Sequence, residues 1–172
     1  MEELIKIPEE RVGVLIGPNG ATKRKIASKT KATIEVDSPT GEVTLIGEGE
    51  SFFKAADIVR AIGRGFSPER AFTLLKDDYL LKIIDITDYA GKNQSNQKAK
   101  RGRIIGREGT ARLEIEKKTH CLISVHGKTV AVIGLADEID KAVEAVEMLL
   151  EGAKHETVEH ILFGGRSDRF EL

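Results

Sequence analysis

Two short loops carry the residues best suited to grip a phosphate chain: Gly17-Pro18-Asn19-Gly20 and Gly106-Arg107-Glu108-Gly109. Each follows an apolar pair that ends in isoleucine, Ile16 or Ile105, and each opens onto a stretch with helical spacing. Glycine lets a backbone come close to a sugar-phosphate chain. Amide N–H groups at the start of a helix face an anionic oxygen. Cations surround both loops: Lys23, Arg24 and Lys25 follow the first, Lys98, Lys100, Arg101 and Arg103 precede the second, and Arg112 follows it. The loops are not equivalent. Pro18 lacks an amide donor and Asn19 adds no charge, whereas Arg107 can reach a phosphate directly with Glu108 opposing it. The second loop is therefore expected to be the main RNA site. Three consecutive cations fan around a helix, so one or two of Lys23, Arg24 and Lys25 serve solubility.

The two loops belong to an internal repeat. A displacement of 89 pairs Ile16 with Ile105, Gly17 with Gly106, Gly20 with Gly109, Ile26 with Ile115, Thr30 with Thr119 and Ile34 with Ile123. Beyond the next turn the displacement becomes 87 and pairs Ile46 with Ile133, Gly47 with Gly134 and Val59 with Val146. A change of two within a turn is ordinary loop variation.

Each copy reads as strand, helix, glycine loop, helix, strand, strand, helix. In the first, Leu4–Ile7 is a strand, and Pro8 suits the first turn of a helix over Glu9–Leu15. Helix over 21–29, strands at 32–36 and 42–46, and a helix over 51–63 follow. In the second, residues 79–86 are a strand and 88–97 a polar loop. Helices are expected over 98–105 and 110–118, strands over 121–125 and 129–133, and a last helix over 137–150. Ile16, Ile26, Ile34, Ile105, Ile115 and Ile123 are expected in the cores rather than in a groove. Ser67-Pro68-Glu69 marks a helix start in an apolar connector.

Composition narrows the functional class. The 172 residues carry a net charge of -1, which excludes a uniformly basic coat. Charge is instead local: six Lys/Arg and no Asp/Glu from 11 to 31, nine against three from 92 to 118, and four against ten from 136 to 172. This pattern fits a protein that meets RNA on one face. The single cysteine, Cys121, excludes a disulfide framework and a thiolate zinc site. No secretory leader or membrane-spanning run is read in the sequence, so a soluble cytoplasmic protein is expected. The histidines of His155-Glu-Thr-Val-Glu-His160 are five apart, whereas the helical zinc motif needs four. No paired carboxylates, Ser/His/Asp set or metal cluster is apparent, so no enzyme, cofactor or small-molecule substrate is expected. Tyr79, Tyr89 and Phe163 are scattered, which gives no aromatic stacking platform.

Two Ile-Gly-x-x-Gly loops in matched contexts resemble a tandem pair of KH domains. The stretches AIGRGFSPERAFTLL, DDYLLKIIDI and GRIIGREGTARLEIEKKTHCLISV are more selective. They are similar to the archaeal KH pre-ribosomal RNA processing factors, the Dim-type, partner-of-Nob family. The resemblance implies an α+β fold of two tandem type I KH domains, each a three-stranded sheet packed by three helices. The expected organisation is 1–66 first KH domain, 67–77 helical connector, 78–154 second KH domain and 155–172 C-terminal extension. It implies a non-catalytic single-stranded RNA-binding protein of small-subunit biogenesis that binds the 3′ end of 16S rRNA. Implied partners are a Nob-type endonuclease and the alpha subunit of translation initiation factor two. A KH groove clamps about four nucleotides and has no room for a duplex. The expected RNA-binding residues are Gly106, Arg107, Glu108, Gly109, Arg101, Arg103, Ile105 and Arg112 of the second copy, and Gly17, Pro18, Asn19, Gly20, Lys23 and Arg24 of the first. Family relatives in eukaryotes look degenerate at the first loop, whereas this chain keeps both glycines, so the first copy is left with either RNA or a protein as its ligand. Two other classes compete: an exosome-type RNA-decay subunit, which would usually bring an extra five-stranded barrel, and a protein scaffold with weak RNA affinity.

Overall fold

A computed structural model describes residues 1–164. The chain divides into two compact units, Met1–Leu81 and a second from Lys82 onward.

The first unit runs β1 (Glu2–Lys6), α1 (Glu9–Ile16), a 3-10 turn over Pro18–Gly20, α2 (Ala21–Thr30), β2 (Thr33–Asp37), β3 (Glu42–Ile46) and α3 (Gly49–Gly63). A short α4 (Pro68–Ala71) follows, capped by the Ser67 hydroxyl, which accepts from the Arg70 amide. The sheet order is β1-β3-β2, with both pairings antiparallel, so β2 is an open edge. Alternation in β3 buries Val43 and Leu45, and the helical period of α3 buries Phe52, Ala55, Ala56 and Val59. These meet Leu15 and Ile26, both fully buried. Each such side chain contributes roughly 1.5–3 kcal/mol through burial.

The second copy repeats the plan, its first strand beginning at the end of the first unit: β4 (Tyr79–Asp85), α5 (Thr87–Ala90), α6 (Gln94–Ile105), a 3-10 turn over Arg107–Gly109, α7 (Thr110–Thr119), β5 (Leu122–His126), β6 (Thr129–Leu135) and α8 (Ile139–Leu150). The sheet order β4-β6-β5 leaves β5 at the edge. Registers match as well: Ile34 lies opposite Leu45, and Ile123 opposite Val132. The displacements of 89 and 87 carry one pair onto the other.

Three local expectations are revised. The stretch 88–97 is not a plain loop: it holds α5 and the first turn of α6, which starts at Gln94 because the Asn93 side chain accepts from the Asn96 amide at 3.0 Å. Pro8 is extended (φ -59°, ψ 143°) and stands just before α1 rather than in its first turn. Ile105 is 36% exposed and Ile16 half-buried, so neither is a core residue, while Ile104 and Leu15 beside them are buried. Of the segment 155–172, residues 155–163 form helix α9 (His155–Phe163), and Val158 is buried in the second core. The remainder, from 165, lies outside the described residues.

Each unit ties the helix before its glycine loop to the end of the long helix after its sheet, by related means. Arg11 of α1 donates to the carbonyls of Ile62 and Phe66 at 2.8 and 2.7 Å. In the second unit Lys100 of α6 donates to Leu150 O at 2.5 Å. Arg103 donates to the carbonyls of Leu149 and Ala153. In both cases cations satisfy carbonyls at or just beyond a helix C-terminus, where the helix dipole favours them. Burial lowers the pKa of the Arg11 guanidinium.

Candidate nucleic-acid interface

The glycine loops are built identically. Gly17 (φ 76°, ψ 175°) ends α1 and Gly106 (φ 74°, ψ -178°) ends α6. This backbone region is essentially closed to residues with a side chain. Space forbids one too: a Cβ on Gly106 would lie 2.5 Å from Ala111 Cβ and 2.8 Å from its amide nitrogen. The third residue of each loop is left-handed, Asn19 at φ 53° and Glu108 at φ 55°. The loop closes on itself through Gly20 N–H to Gly17 O at 3.1 Å and Gly109 N–H to Gly106 O at 3.3 Å. Pro18, Asn19, Arg107 and Glu108 form the exposed tips.

In the second unit, α6 and α7 flank the loop and both contact β5, the edge strand. Arg101 of α6 reaches across and donates to Gly127 O in the turn from β5 to β6 at 2.9 Å. Arg112 of α7 donates to Ile123 O of β5 at 3.3 Å. Ile105 and Leu113, 36% and 50% exposed, supply apolar surface beside the loop. Exposed Arg107 stands at the tip beside exposed Glu108. This brings together Arg101, Ile105, the four loop residues and Arg112. Arg103 is not among them, since its guanidinium is engaged beyond the C-terminus of α8.

In the first unit the cations are partly committed. Arg24 Nη1 donates to Asn19 O at 2.5 Å, so it braces its own loop. Lys25 lies over the Phe72 ring at 4.4 Å, a cation–π contact. Lys23, at the position matching Arg112, is half-buried. The first loop thus has no cation at its tip, where the second has the exposed Arg107.

Sequence reasoning overlooked Glu116. It bonds both Arg112 and the Ile123 amide. Its place four residues after Arg112 was the available signal. It also overlooked a groove of about 590 Å³ on another face of α7, floored by Gly106, Ala111, Ile115, Leu149, Val158 and Phe163. Glu114, Glu156 and Glu159 line it too. Arg107, Thr110 and His155 line it as well, so the groove adjoins the glycine loop and carries both signs of charge. Among the described residues no cluster of His, Cys, Asp and Glu is arranged to hold a metal, and no helix is long and apolar enough to cross a membrane. Cys121 is buried, which raises its thiol pKa.

Residues 2–61 match the KH domain family, and residues 80–163 match the eukaryotic-type KH domain, type I. The chain is 48% identical over 158 residues to the KH domain-containing protein MJ0443 of Methanocaldococcus jannaschii, covering 89% of this chain and 69% of that one. It superposes on Dim2p from Pyrococcus horikoshii OT3 with a TM-score of 0.87 at 46% identity, covering 95% of this chain and 99% of the other. The chain belongs to the Dim2/PNO1 family of tandem KH-domain proteins. A second structure from that organism, the a/eIF2alpha–aDim2p–rRNA complex, matches with a TM-score of 0.88 at 44% identity over 98% of this chain and 95% of that one. Among more distant relatives is the pre-rRNA-processing protein PNO1 of Debaryomyces hansenii. It is 31% identical over 58% of this chain, and the match spans 40% of its own length. In this Dim2/PNO1 member both KH loops share one backbone geometry.

Proposed function

We propose that the protein binds single-stranded RNA at the 3′ end of 16S rRNA and acts in maturation of the small ribosomal subunit. The second KH cleft is the main site. The observation that carries this is the exposed Arg107 at the tip of a glycine loop with left-handed backbone, flanked on α6 and α7 by Ile105, Arg101 and Arg112. Gly106, Glu108 and Gly109 complete the clamp. Gly17, Pro18, Asn19, Gly20, Lys23 and Arg24 form a weaker second contact. The clamp holds backbone phosphates, and the cleft admits unstacked bases but no duplex.

The role is non-catalytic: the protein positions RNA for partners and does not cut it. A structural relative is recorded with rRNA and a/eIF2alpha. That supports rRNA and the alpha subunit of translation initiation factor two as partners here, with a Nob-type endonuclease acting on the held RNA. A cytoplasmic setting goes with this role. The test is ultraviolet crosslinking of the intact chain to a labelled 16S 3′-end oligomer, followed by mapping of the linked peptides. Crosslinks within 101–126, with the oligomer uncut, are expected. Crosslinks scattered over the helices α3 and α8 would refute the site.

A further inference from the structure

The open edge of β5 is already occupied. Ile123 turns both of its backbone polar groups away from β6 and toward α7. Its amide donates to Glu116 Oε2 at 2.7 Å. Its carbonyl accepts from Arg112 Nη1 at 3.3 Å. The same Arg112 nitrogen donates to Glu116 Oε1 at 3.1 Å. A carboxylate and a guanidinium thus form a closed ring of hydrogen bonds on one residue of an edge strand. The Glu116 side chain is only 10% exposed, so the ring is partly shielded from water.

An unpaired strand edge is a template for any partner that offers a matching donor and acceptor. An unstacked base in the cleft presents such a pair on its Watson–Crick edge. Arg112 and Glu116 supply the same pair from within the chain. The first unit has no such device: Lys23 and Ala27 stand where Arg112 and Glu116 stand, and alanine has no side-chain acceptor. Its Ile34 nonetheless has the register of Ile123.

We propose that Arg112 and Glu116 form a side-chain lock on the second cleft, which a base must displace to reach the Ile123 backbone. The lock rests on the RNA-binding function proposed above and adds to it. It screens the bases while leaving the phosphate clamp open. Weakly pairing strands are held by their backbone alone, and only a well-seated base opens the edge.

The test uses the intact chain, a single-stranded RNA and an abasic strand of equal length. Two variants separate the lock from a simple loss of negative charge. Glu116→Ala removes the acceptor, whereas Glu116→Gln removes the charge but keeps an oxygen that accepts from Ile123. Losing one charge-assisted hydrogen bond from the free state should tighten RNA binding by Glu116→Ala about tenfold or more. Glu116→Gln should stay within about twofold of wild type, and both variants should bind the abasic strand alike. Amide exchange gives a second readout without RNA: Ile123 should exchange about tenfold faster or more in Glu116→Ala, while amides paired between β5 and β6 keep their rates. Equal gains for both variants, an equal gain on the abasic strand, or an unchanged Ile123 amide would overturn the lock alone. If no variant and no wild-type chain binds RNA, the RNA-binding function fails and the lock fails with it.

Discussion

Replacing Gly106 by alanine should cost far more stability than replacing Gly109, although both glycines belong to one motif with nearly equal φ. Gly106 sits at φ 74° and ψ -178°, a region essentially reserved for glycine that costs an alanine about 1–3 kcal/mol. Its new Cβ would also lie 2.5 Å from Ala111 Cβ and 2.8 Å from Ala111 N. The first turn of α7 must shift to relieve that overlap, adding roughly 1–3 kcal/mol. Gly109 is in the ordinary left-handed region at φ 77° and ψ 8°, and a Cβ there meets nothing within 4 Å. Its cost is only the left-handed penalty of roughly 1–2 kcal/mol. The difference between the two variants should therefore be about 2–3 kcal/mol, the sum of the overlap and the more restricted backbone. Urea unfolding followed by circular dichroism reads this in the transition of the second unit. Equal losses for Gly106→Ala and Gly109→Ala would refute the claim that loop geometry, rather than a general need for glycine, fixes the first position.

Further outcomes follow from the packing. Arg103→Ala should lower stability by about 1–3 kcal/mol through the lost bonds beyond the end of α8. RNA affinity, measured by filter binding, should change no more than about twofold, as expected for one lost charge far from the loop. Arg11→Ala removes the corresponding bonds to Ile62 and Phe66, so its stability loss should match within about 1 kcal/mol. Burial raises the pKa of the Asp57 carboxyl. Its folded pKa thus exceeds its unfolded one, so the stability it contributes is full below the unfolded pKa and is lost as pH rises through the folded pKa. Asp57→Asn should therefore stabilise the chain at neutral pH by a few tenths of a kcal/mol, a small gain because solvent screens a carboxyl that is 40% exposed. That gain should disappear below about pH 3.5 in thermal melts, where the unfolded carboxyl also takes up its proton.

The repeated motif made much of this architecture legible. Isoleucines matched by the displacement of 89, such as Ile26 with Ile115, occupy corresponding core sites because tandem copies keep one packing scheme. The change of displacement to 87 fell in the turn before β3 and β6, where length varies freely. What escaped was decided by long-range contacts. Arg103 and Arg101 lie two residues apart and read alike in sequence, yet one reaches carbonyls at and beyond the end of α8 and the other a β-turn. Ile105 and Ile104 are both apolar, and only the helix phase decides which one faces the core. The start of α6 was hidden by Asn and Gln, whose helix propensities are modest, until Asn93 is seen to cap it. Helix α9 carries one buried residue, Val158, too little apolar periodicity to announce itself.

The most direct measurement is fluorescence anisotropy of the intact chain with a labelled 16S 3′-end oligomer, single-stranded and as a duplex, at two salt concentrations. Three proteins should be compared: wild type, R107D/E108D and P18D/N19D. Tighter binding of the single strand, weakened by salt and lost about tenfold or more in R107D/E108D, is expected, because two repelling carboxylates then face the phosphates. The P18D/N19D loss should be smaller, since that loop lacks a tip cation and Arg24 is bonded to Asn19 O. Equal affinity for duplex and single strand, or an R107D/E108D protein that binds as wild type does, would contradict the assignment of the second KH cleft as the RNA site.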